Sequence, residues 1–267
     1  MGIRRDSHRR GHQVLVQVRP EGLRLIRQHD HALASGALAR AWTPPDRPEL
    51  PFALVLAVAL HDVAWIPVDR EPSLDASSGR PHDFQSLPAG RKLAAYAAGL
   101  DRAEALHPAA GLLGSHHYAA FARSGSDSAP EATERFLEGE RERRRRLEGS
   151  AGAAIPGIPV EEALELLRFL DRLSLLLCLS AAGADPDSVP PWLEPRGRAE
   201  PPDGRMLRLA WRGEGRVLLE PFPLGGPLTL EIPFRDLPPG PFAEADELRG
   251  VWEEAPERVW ELEVAPG

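Results

Sequence analysis

Apolar and polar residues alternate with period two along QVLVQVRPEGLRLI, residues 13 to 26, and the turn formers Arg-Pro-Glu-Gly divide the stretch into two short strands, a hairpin. From about Gln28 to Trp42 the period lengthens to that of a helix, with Asp30 in the first turn, where the helix dipole favours a negative charge. Pro44, Pro45, Pro48 and Pro51 then interrupt the chain ahead of an apolar helix over residues 52 to 64. A loop dense in Asp, Pro and Gly runs from Pro67 to Pro88, and helical patterns return at 90 to 106, 109 to 122, 131 to 148 and 160 to 182. Asp185 to Gly204 reads as a linker. Beyond it the period is two again in MLRLAW, RVLLE, LTLEIPF and RVWELEV.

An isolated hairpin is marginal in water, so residues 13 to 26 need a partner sheet, and the C-terminal strands offer one. The expected fold is mainly α, with a smaller antiparallel sheet built from the N-terminal hairpin and the C-terminal strands. The expected organisation is a hairpin at 1–27, a helical domain at 28–184, a linker at 185–204 and a β-rich region at 205–267.

Composition narrows the functional classes. A net charge of -8 and a pI near 5.6 argue against a nucleic-acid binder, which needs a basic footprint. The basic run Arg141 to Arg146 lies among Glu134, Glu138, Glu140, Glu142 and Glu148 and reads as a solvated helix face. Cys178 is the single cysteine, which excludes a disulfide framework and a thiolate metal site and fits a reducing compartment. The start, MGIRRDSHRRGHQ, has no apolar signal core, and the runs Leu50 to Leu60 and Leu173 to Leu179 are too short to cross a bilayer. The expectation is a soluble cytoplasmic protein with no nucleic-acid or membrane partner, its oligomeric state open.

The chemistry centres on FALVLAVALHDVAW, residues 52 to 65, where an apolar run meets His61 and Asp62. A buried charge is costly unless it is paired or holds a metal. Alone, the dipeptide could equally be a histidine favoured by a helix C-terminus beside a solvent-facing Asp. Three other places carry the same signal. His31 opens an apolar helix face in QHDHALASGALARAW; His116 and His117 follow an apolar turn in GLLGSHHYAAF; Asp171 lies among leucines in RFLDRLSLLLCLSAA. Arg168 or Arg172 could pair with Asp171, and a metal ion is the alternative. Imidazole and carboxylate ligands without thiolate suit Mn, Fe, Zn, Ni or Co, with Mg possible.

The order His31, then His61-Asp62, then Asp171, on separate helices, resembles the HD-domain superfamily of metal-dependent phosphohydrolases, in an uncharacterised bacterial branch, over residues 28 to about 182. The resemblance implies a site of His31, His61, Asp62, His117 and Asp171 holding one or two divalent ions, with Asp62 and His116 in catalytic roles. It implies hydrolysis of a small phosphorylated metabolite or nucleotide by a metal-activated water. Di-iron oxygenases of the same superfamily are an alternative, and a non-catalytic metal- or ligand-binding regulatory protein is another. The loop after the dipeptide carries Asp69, Arg70, Arg80 and Asp83, and Lys92 follows; these are the candidate substrate-binding groups, Arg70, Arg80 and Lys92 for phosphate and Asp69 and Asp83 for sugar hydroxyls or a water network.

Overall fold

The computed structural model describes residues 14–43, 49–70, 72–84, 87–124, 129–180, 198–199, 204 and 206–267. The charged start, and the linker apart from residues 198–199 and 204, lie outside them. The hairpin forms as its alternation predicts: β1 (Val14–Arg19) pairs antiparallel with β2 (Gly22–Arg27). Helix α1 (Gln28–Ala41) follows directly. Helix α2 (Phe52–Ala59) stops short of the expected 52–64 span. There the His61 imidazole donates from Nδ1 to the Val58 carbonyl at 2.7 Å, the acceptor that a continuing helix would reserve for the Asp62 N–H. The chain then tightens into a 3-10 turn over Val63–Trp65, leaving His61 and Asp62 in the bend between the two.

A two-residue ladder, β3 (Leu74–Asp75) with β4 (Arg80–Pro81), organises the loop that follows. Helices α3 (Ala89–Leu106), α4 (Pro108–Ser124), α5 (Pro130–Glu148) and α6 (Val160–Leu179) lie close to their expected spans. The remaining strands are β5 (Arg198–Ala199), β6 (Leu207–Trp211), β7 (Arg216–Glu220), β8 (Leu228–Leu237) and β9 (Arg258–Pro266). Between the last two lies α7 (Ala245–Glu254), a helix the periodicity reading passed over. Its signal is short: Asp246 and Glu247 in the first turn, then Leu248 and Trp252 one turn apart and both buried.

The N-terminal hairpin does share a sheet with the C-terminal strands, in the order β1-β2-β8-β9-β7-β6-β5. The expectation of a purely antiparallel sheet is corrected. β9 inserts between β8 and β7, pairing antiparallel with β8 and parallel with β7. Because β7 and β8 run in opposite senses, a strand placed between them must be parallel to one of them. The fold is therefore mixed α and β rather than mainly helical with a small annex.

The main apolar core is common to both parts: Leu15, Ile26, Ile232, Leu262 and Val264 from the sheet pack with Leu38, Leu54, Leu113, Leu167 and Leu170 from the helices. On the other face of β2, Leu23 and Leu25 meet Leu248 and Trp252 of α7, as the period-two alternation of a strand requires. Small residues let the helices approach. A Cβ on Gly36 of α1 would lie 2.5 Å from the Ala59 Cβ of α2, and one on Gly99 of α3 would lie 2.3 Å from the Ala64 Cα.

That contact predicts the outcome of Gly99→Ala. Alanine gains about 1 kcal/mol of helix propensity over glycine, but the neighbour at Gly99 is backbone, and overpacking costs about 1–3 kcal/mol. The variant should be less stable, with its melting midpoint lowered by about 2–4 °C per kcal/mol lost. An unchanged or raised midpoint in a thermal scan would contradict the close approach of α3 to the turn that carries Asp62.

Candidate metal centre

The end of α1 nearest the site is held from outside. Its own N-cap residue, Arg27, makes no side-chain cap bond; instead Asp69 Oδ2 accepts the His29 N–H at 3.1 Å. This places His31 in the first turn of a helix whose free N–H groups are partly satisfied. His31 is fully buried, and its Nε2 lies 2.9 Å from Asp62 Oδ2. His61 Nε2 lies 3.2 Å from Asp171 Oδ1, and His117 Nε2 lies 3.7 Å from Asp171 Oδ2. The five side chains thus converge from α1, the bend after α2, α4 and α6, and all are buried. Within each of two sets of three, His31/His61/Asp62 and His61/His117/Asp171, the potential ligand atoms lie within 4.8 Å of one another. Atoms bound at ~2.0–2.2 Å to one ion stand roughly 3–4 Å apart, so the spacing fits.

The outer contacts orient these groups. His61 Nδ1 is engaged by the Val58 carbonyl, and His31 Nδ1 lies 3.4 Å from Ser174 Oγ, which itself donates to the His31 carbonyl at 2.8 Å. With the Nδ1 atoms so engaged, each imidazole presents Nε2 inward, the arrangement by which a hydrogen bond on the outer nitrogen fixes the tautomer of a metal-binding imidazole. The buried Nε2 of His117 has no hydrogen-bond partner among the described residues. Asp62 Oδ1 accepts Trp65 Nε1–H at 3.1 Å and the Tyr118 hydroxyl at 3.3 Å, which leaves Oδ2 to face the centre. Tyr118 is stacked on Tyr96, with centroids 4.2 Å apart, and Tyr96 meets the edge of Trp65.

Electrostatics follow from this packing. Burial raises the pKa of Asp62, but the His61 charge and the His31 hydrogen bond outweigh it and hold the carboxyl below its usual range. Asp171 is likewise held low, burial being overcome by His61 and then His117. Burial drives His117 down to about 4, against the pull of Asp171, so its imidazole is neutral. Burial also pulls His61 down, yet Asp62 and Asp171 reverse the shift and raise it to about 9. The two buried carboxylates call for positive charge, which His61 supplies in the absence of an ion. A divalent ion with three neutral imidazoles would balance them and displace the His61 proton. The donor set is therefore able to hold a metal ion.

Asp62, His31, His117 and Asp171 line one side of a cavity of about 820 Å³. Its other walls include Trp65, Phe84, Leu87, Leu93, Tyr96 and Phe121, with Gln28, Lys92, Arg168 and Arg172 among the polar groups. The candidate substrate residues divide. Lys92 is on the cavity wall. Asp69, expected there, is buried as the outside cap of α1, with burial pushing its carboxyl well above the usual range. Arg70 is exposed, and its carbonyl accepts the Trp252 indole N–H at 3.2 Å on α7. Arg80 is exposed on β4, where the preceding Gly79 carbonyl accepts the Phe242 N–H at 2.7 Å; neither arginine nor Asp83 lines the cavity. The loop between Pro67 and Pro88 leans on the C-terminal segment and lends the cavity Phe84 and Leu87 instead of charges. His116 is also outside the cluster, its Nε2 3.6 Å from Glu148 of α5.

Sequence reasoning passed over Gln28, Trp65, Tyr118 and Ser174. Each stands one, three or four residues from a ligand candidate in the chain, a spacing that becomes informative only once the ligands are known to converge. Arg168 and Arg172, the alternative partners for Asp171, do not pair with it: the carboxylate faces His61 and His117. Among the described residues, no helix is long and apolar enough to cross a membrane.

The family model of a protein of unknown function, DUF3891, matches residues 14–239, and the chain belongs to that family. No curated protein and no solved structure matches it. The matched span contains all five converging side chains and the sheet through β8.

Two outcomes test this geometry. In metal-free protein the folded pKa of His61, about 9, exceeds its ordinary 6.5. Its contribution is then complete below pH 6.5 and is lost as pH rises through about 9. The melting midpoint of chelator-treated protein should therefore fall across that window, and a divalent ion should flatten the fall. A flat midpoint without metal would show that His61 is not held charged. Separately, Arg80→Ala should change any ligand affinity by less than about twofold, as surface substitutions do; a larger loss would place the β3–β4 loop over the cavity.

Proposed function

We propose that this protein is a metal-dependent hydrolase of small phosphorylated molecules, with its centre arranged as in the HD-domain superfamily that its ligand order resembles. The observation that carries this reading is the opening of the His/Asp cluster into a cavity that also holds Arg168, Arg172 and Lys92. A closed structural metal site needs no cavity and no cationic wall, whereas phosphoryl chemistry needs both. Both potential ligand sets draw on the same His61 Nε2, because its Nδ1 is engaged by Val58. We therefore read them as two sides of one centre for a single ion, of Mn, Fe, Zn, Ni or Co type, with Mg less suited to so many imidazoles.

The ion would supply Lewis acidity toward a phosphoryl oxygen and a water of lowered pKa. The protein's own residues do the rest. Arg168, one turn before Asp171, and Lys92 across the cavity bind and orient the phosphoryl oxygens. Trp65 and Tyr118 keep Asp62 turned so that Oδ2 faces inward. Phe84, Leu87 and Phe121 restrict bulk water, which strengthens each of these interactions.

Purified protein should contain roughly one divalent ion per chain, as five-ligand sets of this kind do. Asp62→Ala or Asp171→Ala should lose the ion and, with it, all hydrolysis of a phosphate-ester panel. Arg168→Ala should keep the ion but raise KM about tenfold or more, the worth of a charge-assisted hydrogen bond. Full metal content in Asp62→Ala would sink the ligand assignment. Iron content with oxygen-dependent turnover, and no hydrolysis, would favour the oxygenase alternative.

A further inference from the structure

The walls of the cavity say what kind of molecule the phosphoryl group is attached to. A volume of about 820 Å³ is far more than one phosphoryl group fills and lies in the range of sites that enclose a whole small ligand. Beyond the His/Asp cluster and the three cationic side chains, its lining is mostly aromatic and aliphatic, including Phe84, Leu87, Tyr96 and Phe121, with Gln28, Ser124 and Thr133 as the neutral polar groups. A polyhydroxylated body would have to leave most of its hydroxyls unpaired there, at a cost an apolar body avoids.

Phe121 marks where that body would lie. It stands one helical turn after His117 on α4, and its ring meets the His117 imidazole edge-on at 4.6 Å between centroids. It is nevertheless 46% exposed, so a large apolar side chain spans the distance from a ligand candidate to solvent. A second observation points to a ligand. Gln28, on α1 one turn before His31, is 1% exposed and lines the same cavity, and its Oε1 has no partner among the described residues. A buried amide oxygen left so is costly unless a bound molecule or its accompanying water donates to it.

We propose that the site takes an amphipathic phosphoryl compound with an aryl or alkyl body, and that Phe121 is the residue that selects for that body. This rests on the phosphohydrolase reading for the position of the charged head, with the head at the His/Asp cluster and Arg168. The body lies along Phe121, Phe84 and Leu87, and sugar phosphates are discriminated against.

The test uses phosphonates, whose P–C bond is not hydrolysed, so binding is read apart from turnover. Calorimetry of the full-length, Mn-loaded protein should give phenylphosphonate an affinity at least about tenfold above that of methylphosphonate, the effect of burying one ring. In Phe121→Ala that ratio should fall toward unity, and in Phe121→Leu it should be partly restored, with metal content measured alongside. Phe121 is half exposed, so neither change threatens folding. Equal affinities in the unsubstituted protein, an undiminished ratio in Phe121→Ala, or no binding of either phosphonate would overturn the inference. A clear phenyl preference without hydrolysis of any phosphate ester would sustain it and remove the hydrolase reading. Hydrolysis of esters without such a preference would do the reverse.

Discussion

Two carboxylates taken out of water govern this structure. Asp62 and Asp171 are 6% and 5% exposed, and each would be untenable there alone. The side chains that pair with them or donate to them act to keep them ionised. His61 lies between them, His31 and His117 close the ring from α1 and α4, and Trp65 and Tyr118 donate to the outer oxygen of Asp62. The site is thus a point where helix packing and charge compensation must be solved together. A shift of one helix by an ångström would leave a buried charge without its partner.

The helical layer and the sheet serve that requirement. Gly36 and Gly99 bring α1 and α3 against α2 and the turn after it, close enough for imidazoles on different helices to meet: the His31 and His61 rings are 5.2 Å apart. The sheet supports α1 and α6 from behind through Leu15, Ile26 and Ile232. Asp69 ties the loop after the dipeptide to the first turn of α1, so the chain segment leaving the site also caps the helix that carries His31. Gln17 of β1 donates to the Cys178 carbonyl at 2.8 Å, fixing the far end of α6 to the hairpin.

The cavity divides its work between charge and shape. Its cationic groups come from α3 and α6, regular helices with buried faces, and the exposed β3–β4 loop contributes none of them. That loop is occupied elsewhere, bonded through Gly79 and Arg70 to the segment leading into α7 and to α7 itself. A helical source for the charged groups suits a site in which small displacements cost affinity.

What the sequence determined by itself were most of the elements and the residues that cannot be explained as core. The period of two marks the strands, the period near 3.6 marks α1 and α3 to α6, and His31, His61, Asp62, His117 and Asp171 stand out because each interrupts an apolar face. Such signals are local, and local physics suffices to produce them. Tertiary structure alone decided that these five meet, that Asp69 turns to cap a helix instead of lining the cavity, and that Arg70, Arg80, Asp83 and His116 stay outside it. It also decided that β9 enters between β7 and β8, which makes the sheet mixed. Those outcomes depend on which distant segments share space, and no spacing along the chain encodes where a polar side chain in a loop will find its partner.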